Sequence, residues 1–123
     1  MATVFEKELT DLKEKVLKLG SMVEKAISDS MKALVERDSA IAIEKIENDH
    51  KVNALEVEIE EECIRLIALR QPRAGDLRLI TTAMKITTDI ERIGDLAVDT
   101  CERALELNEE PQLKPYIDIP RMA

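Results

Sequence analysis

The sequence predicts an all-α fold, an antiparallel three-helix bundle with up–down–up connection. Three observations predict it. Apolar residues recur at steps of three and four through three long stretches. Glycine and proline are scarce, at 3 and 4 of 123 residues, which leaves few turns. Aromatic residues are 2% of the chain against 45% hydrophobic, so Leu, Ile, Val, Ala and Met must build the interior. A chain this long supports one domain with a modest core, read here as residues 1–110, followed by a Pro-punctuated tail or linker at 111–123.

The first helix is expected from about Thr3 to Glu36. Its apolar seam runs Phe5, Leu9, Leu12, Val16, Leu19, Val23, Ala26 and Ser30, a coiled-coil rhythm carried over many turns. Gly20 interrupts it, through either a close helix crossing or simple tolerance, since an interior Gly costs a helix about 1 kcal/mol against Ala. Arg37-Asp38-Ser39 then breaks the pattern, with Asp38 or Ser39 as N-cap of the second helix, expected from about Ala40 to Leu69. That helix carries one apolar face of Ile41, Val52, Leu55, Ile59 and Leu66, and a second of Ile46, Val57 and Ile64. Between them lies a polar line of Asp49, Asn53, Glu56 and Glu60.

Gln71-Pro72 ends the second helix, because proline pushes the residue before it out of the right-handed α region. Pro72 is expected to open the third, which extends from about Arg73 to Leu107. Its expected buried side is Ile80, Ala83, Ile86, Ile90, Ile93, Ala97, Cys101 and Ala104. After Asn108, Pro111, Pro115 and Pro120 rule out a continuous helix.

A net charge of −8 argues against a general nucleic-acid binder, which needs a basic stripe to meet phosphate. No apolar run approaches the ~18 residues of a membrane span, and the first residues show no secretory-signal pattern. Cys63 and Cys101 sit among apolar neighbours and read as small buried thiols of a reducing cytoplasm.

The chemistry concentrates in Glu91-Arg92-Ile93-Gly94-Asp95. Glu91 and Asp95 lie four residues apart and stack on one helical face, and Asp99 extends the stripe. Like charges at this spacing cost a helix roughly 0.2–0.5 kcal/mol per pair. The ladder therefore either faces water or holds a cation. If the second and third helices are antiparallel neighbours, Asp49, Asn53 and Glu56 face Glu91 and Asp95. Such hard oxygen donors suit magnesium, manganese, calcium or iron. A di-iron carboxylate enzyme would want Glu-x-x-His pairs, whereas this chain has a single histidine, His50, which reads as a surface residue. Arg70, Arg73 and Arg78 cluster at the entry to the third helix; they form either an anion site or, with less to explain, local ion pairs with Asp76.

Three runs carry a family resemblance. Cys63-Ile64-Arg65-Leu66-Ile67-Ala68-Leu69-Arg70-Gln71-Pro72, then Asp76-Leu77-Arg78, then Ile90-Glu91-Arg92-Ile93-Gly94-Asp95 resemble the signature of the PhoU family. The match covers nearly the whole chain. It implies one three-helix, spectrin-like repeat where members of the family hold two. It further implies a negative regulator of phosphate uptake and phosphate-starvation signalling. Such a regulator would act by contact with the ATPase of the phosphate ABC transporter and a sensor histidine kinase. It would be cytoplasmic, a homodimer, and not an enzyme.

Members of the family hold surface metals with paired E/D-x-x-x-D motifs on adjacent helices. By resemblance, iron, manganese, magnesium or zinc would be held here by Glu91 and Asp95, with Asp49 and Asn53 opposite and Glu56 and Asp99 flanking. Asn53 supplies a neutral oxygen where a carboxylate would bind a cation more strongly. The alternatives are a purely structural helical assembly module with a solvated acidic face, and, less favoured, a metal–carboxylate enzyme.

Overall fold

In the computed structural model, which describes residues 3–109, the chain forms three helices: α1 (Val4–Glu36), α2 (Ser39–Arg70) and α3 (Ala74–Glu109). At 33, 32 and 36 residues, each runs about 50 Å. Every helix packs against both others, so the bundle is triangular in section, with the up–down–up course that short turns impose. The expected tail at 111–123 lies outside the described residues. Among the described residues no helix is long and apolar enough to cross a membrane.

The helix ends follow from local chemistry. Thr3 caps α1, its hydroxyl accepting from the Glu6 N–H at 3.1 Å. Arg37 ends α1 in the left-handed conformation at φ 53°, and Asp38, not Ser39, caps α2 by accepting from the Ile41 N–H at 3.2 Å. Gln71 ends α2 at φ 46° and donates its N–H to the Ile67 carbonyl at 3.2 Å. Pro72 does not open α3 as expected. The helix begins at Ala74, and its first bond runs from the Leu77 N–H to the Arg73 carbonyl at 2.8 Å, so proline stays in the connection.

The core has two parts. Large side chains, including Leu12, Leu19, Ile59, Leu66 and Ile80, fill one end of the bundle. Ala33, Ala42, Cys101 and Ala104 fill the other, where the helices need less bulk between them. Cys63 and Cys101 are free, buried thiols, as read from their neighbours. Burial pushes the Cys63 thiol up to about 11 and raises that of Cys101, which keeps both protonated and inert.

Two expectations about the faces fail. Ile86 and Ile93 are 42% and 43% exposed, while Thr87 and Gly94, one residue on, are buried. Thr87 and Gly94 lie on the line of α3, begun by Ile80 and continued by Cys101, that is turned inward, and the two isoleucines stand on its flank. Thr87 satisfies its hydroxyl by donating to the Ala83 carbonyl at 2.7 Å. Of the second apolar face expected on α2, Val57 and Ile64 are likewise exposed, while Ile46 is partly buried and packs against the core beside Ala42 and Cys101.

Candidate functional site: an acidic cluster between α2 and α3

Glu91 and Asp95 occupy successive turns of α3, beside α2. Gly94, buried and lying between them in sequence, faces both α1 and α2. A Cβ at that position would lie 3.5 Å from Val23 Cγ2 of α1 and 3.9 Å from Val52 Cγ1 of α2. Alongside it runs a groove of about 210 Å³, with Val23, Val52, Gly94 and Ala97 among its apolar lining and Lys45 and Asp49 among its polar one. Glu56 and Glu91 are half-buried beside this seam, whereas Asp95 is exposed.

The electrostatics show which carboxylates share one field. The Glu91 carboxyl is raised above its ordinary range first by its hydrogen bond with Asp95, then by lost hydration and the charges of Asp95 and Asp49; Arg92 opposes this. Glu56 is raised first by lost hydration, then by the charges of Glu91, Glu60, Asp95 and Asp49. Asp49, Glu56, Glu91 and Asp95, four of the expected residues, are therefore brought together. Among the described residues, no ion pair neutralises any of them.

Asn53 is exposed and donates its amide N–H to Asp49 Oδ2 at 3.2 Å. It therefore props a neighbouring carboxylate within its own helix. Asp99 is exposed and does not figure among the principal charges felt by Glu56 or Glu91. Glu60 belongs to the field although only its place on the polar line of α2 marked it in the sequence. Among the described residues, no three carboxylate, imidazole or thiolate groups converge at metal-ligand spacing. The donor set is chemically suited to a hard cation, and holding one requires side-chain rearrangement. His50 is exposed and donates Nδ1–H to the Glu47 carbonyl at 2.7 Å.

The arginines at the α2–α3 connection behave otherwise than expected. Arg70 pairs across the bundle with Glu8 at 2.8 Å rather than with Asp76. Arg65 joins the same carboxylate and also Glu62 at 2.7 Å. The hydrogen bonds from Arg65 and Arg70 hold the Glu8 carboxyl below its ordinary range. These partners are 57 and 62 residues apart, so no local spacing announces them. Arg73 and Arg78 are exposed.

Comparison with known proteins places this geometry among relatives. A family model described as PhoU domain matches residues 16–104. A phosphate-specific transport system accessory protein PhoU homolog of Aquifex aeolicus is 49% identical over 92% of this chain and 51% of its own length. The phosphate-specific transport system accessory protein PhoU of Escherichia coli strain K12 is 45% identical over 83% of this chain and 42% of its own. The crystal structure of PhoU from Pseudomonas aeruginosa superposes with a TM-score of 0.85 at 39% identity, over 96% of this chain and 57% of that one. The chain thus spans about half the length of the curated relatives it matches.

Proposed function

The chain belongs to the PhoU family, and from that premise we propose that it is an accessory regulator of phosphate transport. It restrains uptake and phosphate-starvation signalling when phosphate is plentiful. It works by contact, bridging the ATPase of a phosphate ABC transporter and a sensor histidine kinase at the cytoplasmic face, as a pair of copies. The observation that carries this reading is the match itself, a PhoU domain over residues 16–104 with relatives named as accessory proteins of phosphate-specific transport. An accessory protein regulates rather than catalyses, and the site offers carboxylates without a paired nucleophile and base.

Within this reading the acidic cluster takes a hard cation. Glu91 and Asp95 would hold it, joined by Asp49 and Glu56, with Asn53 positioning Asp49. Asp99 contributes at most from the rim. The fit rests on carboxylates that repel one another and, among the described residues, have no ion-pair partner. A bound cation would relieve that repulsion and fix α2 against α3, giving a partner protein a surface of defined charge. The cation is iron, manganese, magnesium or zinc by family resemblance, with the all-oxygen donors favouring the harder ions.

A second reading, a structural assembly module with a solvated acidic face, is favoured by one observation: no three ligands converge among the described residues. Complementation tests the regulatory reading. Expressed in a bacterium lacking its own relative, the protein should restore repression of a phosphate-responsive reporter at high phosphate. Full derepression with the protein folded and abundant would contradict it.

A further inference from the structure

The faces of the bundle differ in kind. The α2–α3 face carries the acidic cluster. The interhelical ion pairs seen among the described residues, Lys15–Glu58, Lys45–Asp29 and Glu8 with Arg65 and Arg70, join α1 to α2. Between α1 and α3 lies instead an open groove of about 570 Å³, within the roughly 300–1,000 Å³ of small-molecule sites. Buried Leu12 and half-buried Val16 and Ala83 form its floor, and Leu17 and Ile86, 71% and 42% exposed, stand along it. Solitary exposed apolar residues need no explanation, but apolar side chains gathered around one groove mark a binding surface.

The charge of the groove has a direction. Its charged lining residues are Lys13 and Arg78, both basic on a chain of net charge −8, and the lining includes no carboxylate. Neither cation enters an ion pair among the described residues. A Cβ on Gly20 of α1 would lie 3.9 Å from Ile90 of α3, and Arg37 donates to the Leu107 carbonyl at 2.8 Å, so the two helices run the same way. Lys13 precedes Val16 and Leu17 on α1, as Arg78 precedes Ala83 and Ile86 on α3. Helical side chains lean toward the N-terminus, so both cations lie toward one end of the groove and apolar groups toward the other. Gly75, in the first turn of α3, also lines the cationic end, and a Cβ there would meet nothing within 4 Å. Open space therefore adjoins the positive end of a helix dipole. Asp11, Glu14 and Asp76 neighbour these residues in sequence but stand outside the lining.

We infer that the α1–α3 groove binds a single-chain amphiphilic anion of the fatty-acid class. Lys13 and Arg78 hold the carboxylate, and the chain lies over Val16, Leu17, Ala83 and Ile86. From Arg78 to Ile86, α3 rises about 12 Å, the length of an extended chain of about ten carbons. A docked helix would carry charge along both edges and want cations spaced down the groove. A ligand with one charged head and one apolar tail instead matches cations gathered toward one end. The groove shares no lining residue with the acidic cluster, so this binding is independent of the cation and of the regulatory role.

Calorimetric titration with decanoate below its micelle concentration, with circular dichroism as the folding control, tests it. The wild type should bind decanoate saturably. Lys13→Gln with Arg78→Gln, both at exposed positions, should raise the dissociation constant about tenfold. Thr82→Trp, which fills the groove from an exposed position and removes no core packing, should abolish binding in a chain that stays helical. Decyltrimethylammonium, the same tail with a cationic head, should bind about tenfold more weakly than decanoate. No saturable binding by the wild type, an affinity unchanged in the glutamine variant, or equal affinity for the cationic amphiphile would overturn the site. Sedimentation with anionic phospholipid vesicles without binding of free decanoate would overturn it in favour of a membrane surface. A change of mass by light scattering in Thr82→Trp, with no decanoate bound by the wild type, would overturn it in favour of a protein occupant.

Discussion

Glu56 and Glu91 hold protons more tightly in the folded chain than in the unfolded one, Glu56 first because folding strips its hydration and Glu91 first through its hydrogen bond with Asp95, with the gathered carboxylate charges adding to both. A folded pKa above the unfolded value contributes stability below the unfolded value, 4.5, and loses it as pH rises through the folded one. At pH 7 the cluster is therefore a cost. Glu56→Gln should stabilise the cation-free protein at pH 7 by about 0.5 kcal/mol, a figure kept small by solvent screening. Urea titration should show the gain vanishing below pH 4.5, the ordinary value for a glutamate; equal stability at both pH values would contradict the shared field. Gly94 gives a second residue-scale test. The Cβ of an alanine there meets Val23 and Val52 at ordinary contact distances, 3.5 and 3.9 Å. Gly94→Ala should then raise stability by about 0.5–1 kcal/mol through helix propensity, and a fall in midpoint temperature would show that the seam is tighter than this.

At the scale of elements, the α2–α3 connection holds Gln71 in the left-handed region, where a side chain is strained and glycine is not. Gln71→Gly should stabilise the protein by up to about 1 kcal/mol. Leu66→Ala, in the fully buried centre of α2, should cost about 2–5 kcal/mol through the cavity it leaves. Chemical denaturation measures both. The helices themselves were legible because their apolar period is long and their stops, Arg37-Asp38 and Gln71-Pro72, are chemically marked. The exact inner face of α3 was not. Ile86 and Ile93 outrank Thr87 and Gly94 in hydrophobicity, but the rotation of α3 against its two neighbours turns the line of Ile80, Thr87, Gly94 and Cys101 inward. The Glu91–Asp95 pair was readable from spacing within one helix. Its union with Glu56 and Asp49 depends on the register of α2 against α3, which no single helix encodes.

For the whole molecule, opposite charge patterns divide the labour between faces. Glu8, Asp29 and Glu62 are held below their ordinary range by hydrogen bonds from Arg65 and Arg70, from Lys45, and from Arg65 respectively, all in or beside the α1–α2 face. Their stabilisation is present above the unfolded pKa and is lost as pH falls through the folded one, opposite in sign to the acidic cluster. One face thus ties the bundle together while another keeps an unrelieved negative field, as a cation site requires. Calorimetric titration of the cation-free protein with Mn²⁺, beside the Glu91→Ala, Asp95→Ala double variant, measures this most directly. Binding with a rise in wild-type midpoint temperature, both absent from a variant that remains folded, is the predicted result. No heat and no thermal shift in the wild type, across all of Mn²⁺, Fe²⁺, Mg²⁺ and Zn²⁺, would contradict it and leave a helical module with a wet acidic face.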